Sequence, residues 1–260
     1  MGKIIAIAMQ KGGVGKTTTT INLAAALSLE GKNILVIDLD PQGNLTEHAG
    51  LDPENINPTV YNVLKDEIDG AEPNVARAIY ETDEGFHILP AQPELSLIEL
   101  SLINTLSRER VLETILYPVI DYYDYILIDC NPSLGLLVVN ALTASDGVII
   151  PIQTEYLAAR GANMILSTIE TIRRKRLNPG LNVMGIILTM ADTRTLITRE
   201  VVAAVKKQMG GEHRVFETVV KRSVRFAESA VAGKSVIRYA PKSQGAQAYR
   251  AIAKELIGDA

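Results

Sequence analysis

Residues Gln10–Thr17 read Q-K-G-G-V-G-K-T, between an apolar run, Lys3–Met9, and a helix-like stretch, Thr17–Glu30. A phosphate loop of the common spacing G-x-x-x-x-G-K-[ST] would carry a glycine five places before Gly15. Gln10 holds that place, and a second cation, Lys11, precedes the adjacent Gly12 and Gly13. The strand–loop–helix order around it is nevertheless that of a phosphate loop. Gly12, Gly13 and Gly15, with Val14 between them, let backbone N–H groups turn towards phosphate oxygens without a Cβ in the way. The helix N-terminus adds its positive dipole end. Lys16 is spaced to reach the β- and γ-phosphates, the Thr17 hydroxyl to ligate Mg2+, and Thr18 to help hold the α-phosphate. A dinucleotide fingerprint is excluded, because no G-x-G-x-x-G follows the strand.

Outward from this loop, short apolar runs alternate with helical patterns. Lys3–Met9, Asn33–Asp38, Phe86–Pro90, Tyr125–Asp129, Gly147–Pro151 and Val183–Thr189 read as buried strands. Thr17–Glu30, Glu94–Leu116, Leu134–Ala144, Glu155–Leu177 and Thr198–Gln208 read as helices. The alternation predicts a doubly wound α/β fold, a mainly parallel sheet flanked by helices, in one domain over residues 1–260. Ligands in such folds sit beyond the carboxyl ends of the strands. Asp52–Asp83 is acidic and irregular, and reads as short surface helices and loops. The three histidines, His48, His87 and His213, lack a metal-ligand spacing and read as surface residues.

Bulk composition sets the frame. The chain has 260 residues, 47% hydrophobic and 22% charged, which is ordinary for a globular protein. The single cysteine, Cys130, excludes an internal disulfide framework and fits a reducing cytoplasm; it reads as a buried, inert thiol. No signal pattern opens the chain, and the terminal A-Q-A-Y-R-A-I-A-K-E-L-I-G-D-A is poor in cations, so a packed helix is expected there rather than a membrane anchor. The net charge of -4 conceals a split: residues 1–159 carry 8 Lys+Arg against 22 Asp+Glu, and residues 160–250 carry 17 against 6. A basic C-terminal part suits a polyanion, or equally a set of solvated helix faces.

K-G-G-V-G-K-T-T, D-L-D-P-Q-G-N at Asp38–Asn44 and L-I-D-C-N-P-S-L-G-L-L at Leu127–Leu137 together resemble the ParA/Soj family of partitioning ATPases, with its deviant Walker A loop. The likeness continues through N-A-L-T-A-S-D-G-V-I-I-P-I-Q-T-E-Y, L-T-M-A-D-T-R-T and K-S-V-I-R-Y-A-P-K-S-Q-G-A-Q-A-Y-R-A-I-A-K-E-L, nearly the whole chain. The resemblance implies ATP and Mg2+ as cofactors and gives Asp40 a switch role in hydrolysis, where a carboxylate can orient or deprotonate an attacking water or hold a magnesium-bound one. Asp129 matches the Walker B aspartate that serves Mg2+, with Asp38 a candidate support. Asn131 departs from the family, which more often has proline there. Thr189 and Met190 match the position lining the adenine. Lys11 matches the lysine that reaches the ATP of a second subunit; its rival role is added charge within its own site.

The resemblance further implies a homodimer in the ATP state, nonspecific binding of double-stranded DNA and a ParB-like adaptor. Arg194, Lys221, Arg222 and Arg225 are the candidate DNA contacts, Arg173, Arg174 and Arg176 weaker ones. Lys221 stands where relatives commonly have proline. The expected setting is the cytoplasm, on the nucleoid, with no membrane partner. Chromosome or plasmid partitioning, positioning of a protein organelle or cluster, and a MinD-like membrane role remain as alternative cargoes for one ATPase cycle.

Overall fold

A computed structural model describes residues 2–155, 158–192 and 196–258. Among them the sheet has seven strands: β1 Lys3–Ile7, β2 Ile34–Leu39, β3 Tyr80–Glu81, β4 His87–Leu89, β5 Tyr125–Cys130, β6 Gly147–Gln153 and β7 Asn182–Thr189, in the spatial order β3-β4-β2-β5-β1-β6-β7. Every pairing is parallel except the short β3 edge, which runs antiparallel to β4. All six strands expected from the sequence are present; β3, two residues long, carries too little pattern to be read.

The helices are α1 Lys16–Leu29, α2 Asn44–His48, α3 Val60–Ile68, α4 Leu95–Leu102, α5 Val111–Leu116, α6 Leu136–Ala144, α7 Ala158–Arg174, α8 Leu196–Met209, α9 Val224–Val231, α10 Val236–Tyr239 and α11 Gln244–Ile257. Successive strand residues point to opposite faces. Ile5 and Ile7 of β1 join the core under α1 and α11, while Ile4 and Ala6 join the one formed with α3 to α7. Both faces are therefore covered, which is why the strands read as unbroken apolar runs. Each fully buried Ile or Leu contributes about 1.5–3 kcal/mol. The terminal helix α11 spends its apolar face on α1: Tyr249, Ile252, Ala253 and Leu256 are buried there, and Tyr249 Oη lies 3.1 Å from Thr19 Oγ1. Among the described residues no helix is long and apolar enough to cross a membrane.

Three expectations need correction. The stretch 94–116 is two helices rather than one. Ser107 takes a left-handed φ of 52°, and Asn140 of α6 holds the break by donating to Arg108 O (2.8 Å) and accepting from Leu112 N (3.1 Å). A tertiary partner thus overrides a continuous helical pattern. In 52–83, α3 sends Val60, Val63 and Leu64 into the core rather than lying on the surface. Finally, His48 is buried, with Nε2 3.1 Å from Lys234 O, and His87 is half-buried, with Nδ1 2.9 Å from Tyr123 Oη.

Candidate nucleotide site

The carboxyl ends of β2, β5 and β1 lie side by side, with Asp38 registered on Asp129 and Ile7 on Asp129. The loop after β1 leads straight into α1. Gly13 and Gly15 have φ of 71° and 91°, a region that L-residues avoid. A Cβ at Gly15 would meet nothing nearer than Thr189 Cγ2 at 3.9 Å, so backbone sign, not crowding, requires glycine there. Helix α1 begins on Gly15 without a side-chain cap. Its first N–H groups are thereby left for a ligand, at the positive end of the helix dipole. Thr189 Oγ1 donates to Val14 O (2.8 Å) and ties the loop to the end of β7.

A cavity of about 890 Å³ opens over this edge. Gly12, Gly13, Gly15, Lys16, Thr17, Thr18, Asp40, Asn131 and Met190 line it, so the spacing-derived loop residues and the D-x-D and walker-B segments do converge. Lys11 is absent from the lining; its Nζ donates to Glu155 Oε2 (2.7 Å), both side chains half exposed. Glu47, His48, Ser96, Ala230 and Val231 also line the cavity. They come from α2, α4 and α9, carry no motif, and only the tertiary fold brings them in. Beside the cavity, a hollow of about 330 Å³ is bordered by Thr18, Thr189, Met190, Phe226, Ala227 and Ala230. Met190 sits there with a left-handed φ of 54°, a strained setting for a non-glycine residue. The Thr189 hydroxyl is already engaged by Val14. A larger hollow of about 1000 Å³, lined by Asn33, His87 and Tyr123, lies at the amino ends of the strands, away from this chemistry.

Electrostatics single out the carboxylates. Asp129 is fully buried and pushed up to about 8, first by burial and then by the neighbouring Asp38 charge, against the Thr17 hydrogen bond and Lys16. Burial likewise lifts Asp38 to about 6 against hydrogen bonds from Thr46 and Asp40. Asp38 accepts from Thr46 N (2.9 Å), Thr46 Oγ1 (2.8 Å) and Asp40 N (3.1 Å), so its oxygens brace the turn that carries Asp40. Burial lowers the Lys16 pKa and raises that of the Cys130 thiol, which makes Cys130 a poor nucleophile. Thr17 Oγ1 donates to Asp129 Oδ2 (2.7 Å), which leaves the hydroxyl lone pairs for a cation.

These residues fit Mg2+. Among the described residues no cluster of three or more His, Cys, Asp or Glu side chains could hold a metal alone. Magnesium suits that sparse set, because it keeps several waters and takes phosphate oxygens beside one or two protein ligands. When bound it supplies charge neutralisation between the β- and γ-phosphates. Thr17 would hold it directly, Asp129 and Asp40 through water.

A pH effect follows. The raised pKa values mean that Asp38 and Asp129 bind protons more readily folded than in the unfolded chain, where a carboxylate titrates near ~3.9. Their contribution to stability is full below that unfolded value and is lost as pH rises through about 6 and then about 8. The melting temperature of nucleotide-free protein in chelator should therefore fall across that window. Asp129→Asn should flatten its upper half, and calorimetry showing the same slope in the variant would exclude this cause.

Comparison with known proteins agrees with this geometry. A family model described as "AAA domain" matches residues 2–183. The sporulation initiation inhibitor protein Soj of Bacillus subtilis is 45% identical over 259 residues, covering 100% of both chains. The chromosome partitioning protein ParA of Myxococcus xanthus is 42% identical, over 99% of this chain and 88% of that one. A crystal structure of cobyrinic acid a,c-diamide synthase from Mycobacterium smegmatis, with bound ADP and magnesium, superposes with a TM-score of 0.85 at 37% identity, covering 99% and 94% of the two chains. With a glycine-turned loop, an uncapped helix start and a buried aspartate meeting at the edge of a parallel sheet, the chain belongs to the ParA/Soj family of magnesium-dependent P-loop ATPases.

Proposed function

We propose that this ATPase dimerises on ATP, binds double-stranded DNA without sequence preference, and partitions chromosome or plasmid cargo with a ParB-like adaptor. The observation that carries the reading is helix α9. Its C-terminal residues Ala230 and Val231 line the nucleotide cavity, while Lys221, Arg222 and Arg225 stand exposed at and just before its N-terminus. This helix and the segment leading into it therefore run from a basic surface to the nucleotide cavity, which gives ATP a route to DNA affinity. The segment is anchored by Arg222 N donating to Ala191 O (3.1 Å), at the same sheet edge as the phosphate loop. Arg225 shares its charge with Glu228 at 2.7 Å; Arg194 lies outside the described residues.

Lys11 supports the dimer. A cation that leaves its own cavity unlined, held by a half-exposed carboxylate, is available to the nucleotide of a second copy. Hydrolysis in one subunit then depends on the other, and product release separates them.

Contacts of this kind go to phosphates and weaken steeply with salt. The triple variant Lys221→Ala, Arg222→Ala, Arg225→Ala is expected to bind duplex DNA at least ~10-fold more weakly with ATP, and with a shallower salt slope. Fluorescence anisotropy with ATP, ADP and no nucleotide reads both. Binding that ignores nucleotide would sink the switch, and an unchanged triple variant would sink the surface.

A further inference from the structure

We propose that Glu99 is a positioning residue of ATP hydrolysis: from α4 it closes the first turn of α6 and so holds the cavity wall at residues 131–135 in place. After β5, which ends at Cys130, the chain crosses the nucleotide cavity and lines it through Asn131, Pro132 and Ser133. Among the described residues, 131–134 form no backbone–backbone hydrogen bond. The wall is therefore held at its ends, by the sheet at Asp129 and Cys130 and by the start of α6. Gly135, the residue before α6, has no side chain with which to cap the helix. Glu99 caps it from another helix: its Oε1 accepts from Leu137 N (3.3 Å), in the first turn of α6. A carboxylate there also suits the positive end of the helix dipole.

Two further features tighten the clamp. The Glu99 carboxylate occupies the space that a Cβ on Gly135 would take, so close approach, not backbone sign, requires glycine there. Helix α4 is itself fixed, with Leu95, Ile98 and Leu102 buried in the core, and its Ser96 lines the same cavity. A carboxylate on so fixed a helix sets the wall relative to Lys16, Thr17 and Asp40, which line that cavity too. Glu99 is not part of the lining; it acts through the wall. Nucleotide affinity rests on the glycine loop, Lys16 and Thr17, which keep their places without it. Hydrolysis is steeper in position, since a displacement of about 1 Å among reacting groups costs about 100-fold in rate.

Hydrolysis by this family, not the DNA reading, underlies the proposal, so the test omits DNA. Full-length Glu99→Ala, Glu99→Gln and Gly135→Ala are compared with wild type. Gly135→Ala keeps Glu99 but puts a methyl where its carboxylate lies, at a φ of -77° that alanine tolerates. The readouts are hydrogen exchange across residues 131–138 without nucleotide, titration with a fluorescent ATP analogue and Mg2+, and single-turnover hydrolysis. In Glu99→Ala and Gly135→Ala the Leu137 amide should lose its protection and hydrolysis should fall about 10- to 100-fold. Nucleotide affinity should stay within about three-fold. Glu99→Gln keeps an acceptor oxygen at the same reach and should hydrolyse within about three-fold of wild type. A cap of purely structural value predicts lost protection and a lower melting temperature with hydrolysis unchanged, and that result overturns the proposal. So does protection retained in Glu99→Ala, which would leave the wall held by other contacts. A loss of affinity in step with hydrolysis, or a Glu99→Gln as slow as Glu99→Ala, overturns it as well.

Discussion

Lys11→Ala is expected to lower ATP hydrolysis about 10³-fold while ATP still binds, the low end of what a charge supplied to a transferring phosphoryl group is worth. The fold should not notice. Lys11 and Glu155 are both half exposed, and such a pair contributes about 0–1 kcal/mol. The decisive measurement is a mixture with Asp40→Ala. In a mixed dimer, the Lys11→Ala subunit keeps an intact Asp40, and its partner still carries Lys11. One complete site is formed from two defective chains. Activity recovered on mixing supports a lysine acting between subunits; a mixture as inactive as its components assigns Lys11 to its own site and removes the main support for the dimer.

Asp40→Ala is the second large effect. A carboxylate that orients and accepts a proton from water contributes about 10²–10⁴ in rate, so hydrolysis should fall about 10³-fold. Binding should survive, because Asp40 is half-buried, its Oδ1 accepts from Gln42 N (3.0 Å), a contact within its own turn, and its charge adds to the repulsion on Asp129. Removing it leaves Lys16, Thr17 and the loop amides in place. On the proposed cycle the variant stays in its ATP form, so DNA release after an ATP chase should be slowed in step with hydrolysis. Stopped-flow dissociation reads this directly. A variant that hydrolyses within ten-fold of wild type would move the water-handling role to another group.

What could be read without coordinates divides along physical lines. Strands buried on both faces announce themselves as apolar runs, so β1, β2 and β4 to β7 were legible in outline. The loop was legible because a left-handed backbone demands glycine, and 13 and 15 both carry it. The break between α4 and α5 was not, since its cause is Asn140, far along the chain. Nor was the burial of His48, which depends on a carbonyl at Lys234. The cavity wall from Ser96 and Val231 is invisible for the same reason: local pattern records which face of an element is apolar, not which distant element will cover it. Asp40 and Asp129 were legible as strand-terminal carboxylates, yet the elevation of Asp129 arises first from its burial by the surrounding fold and then from Asp38 beside it in a neighbouring strand.

The uncapped start of α1 has a consequence for what counts as the finished structure. Helices α9, α10 and α11 close their first turn with side chains of their own, Ser223, Ser235 and Ser243. Helix α1 has no such side chain, and phosphate oxygens bound at the loop would supply the acceptors instead. Nucleotide would then be less a guest in a completed pocket than the N-terminal cap of the helix, and part of its binding energy would go into finishing the fold. Protein and substrate share one cooperative unit, so occupancy and rigidity at this sheet edge rise and fall together.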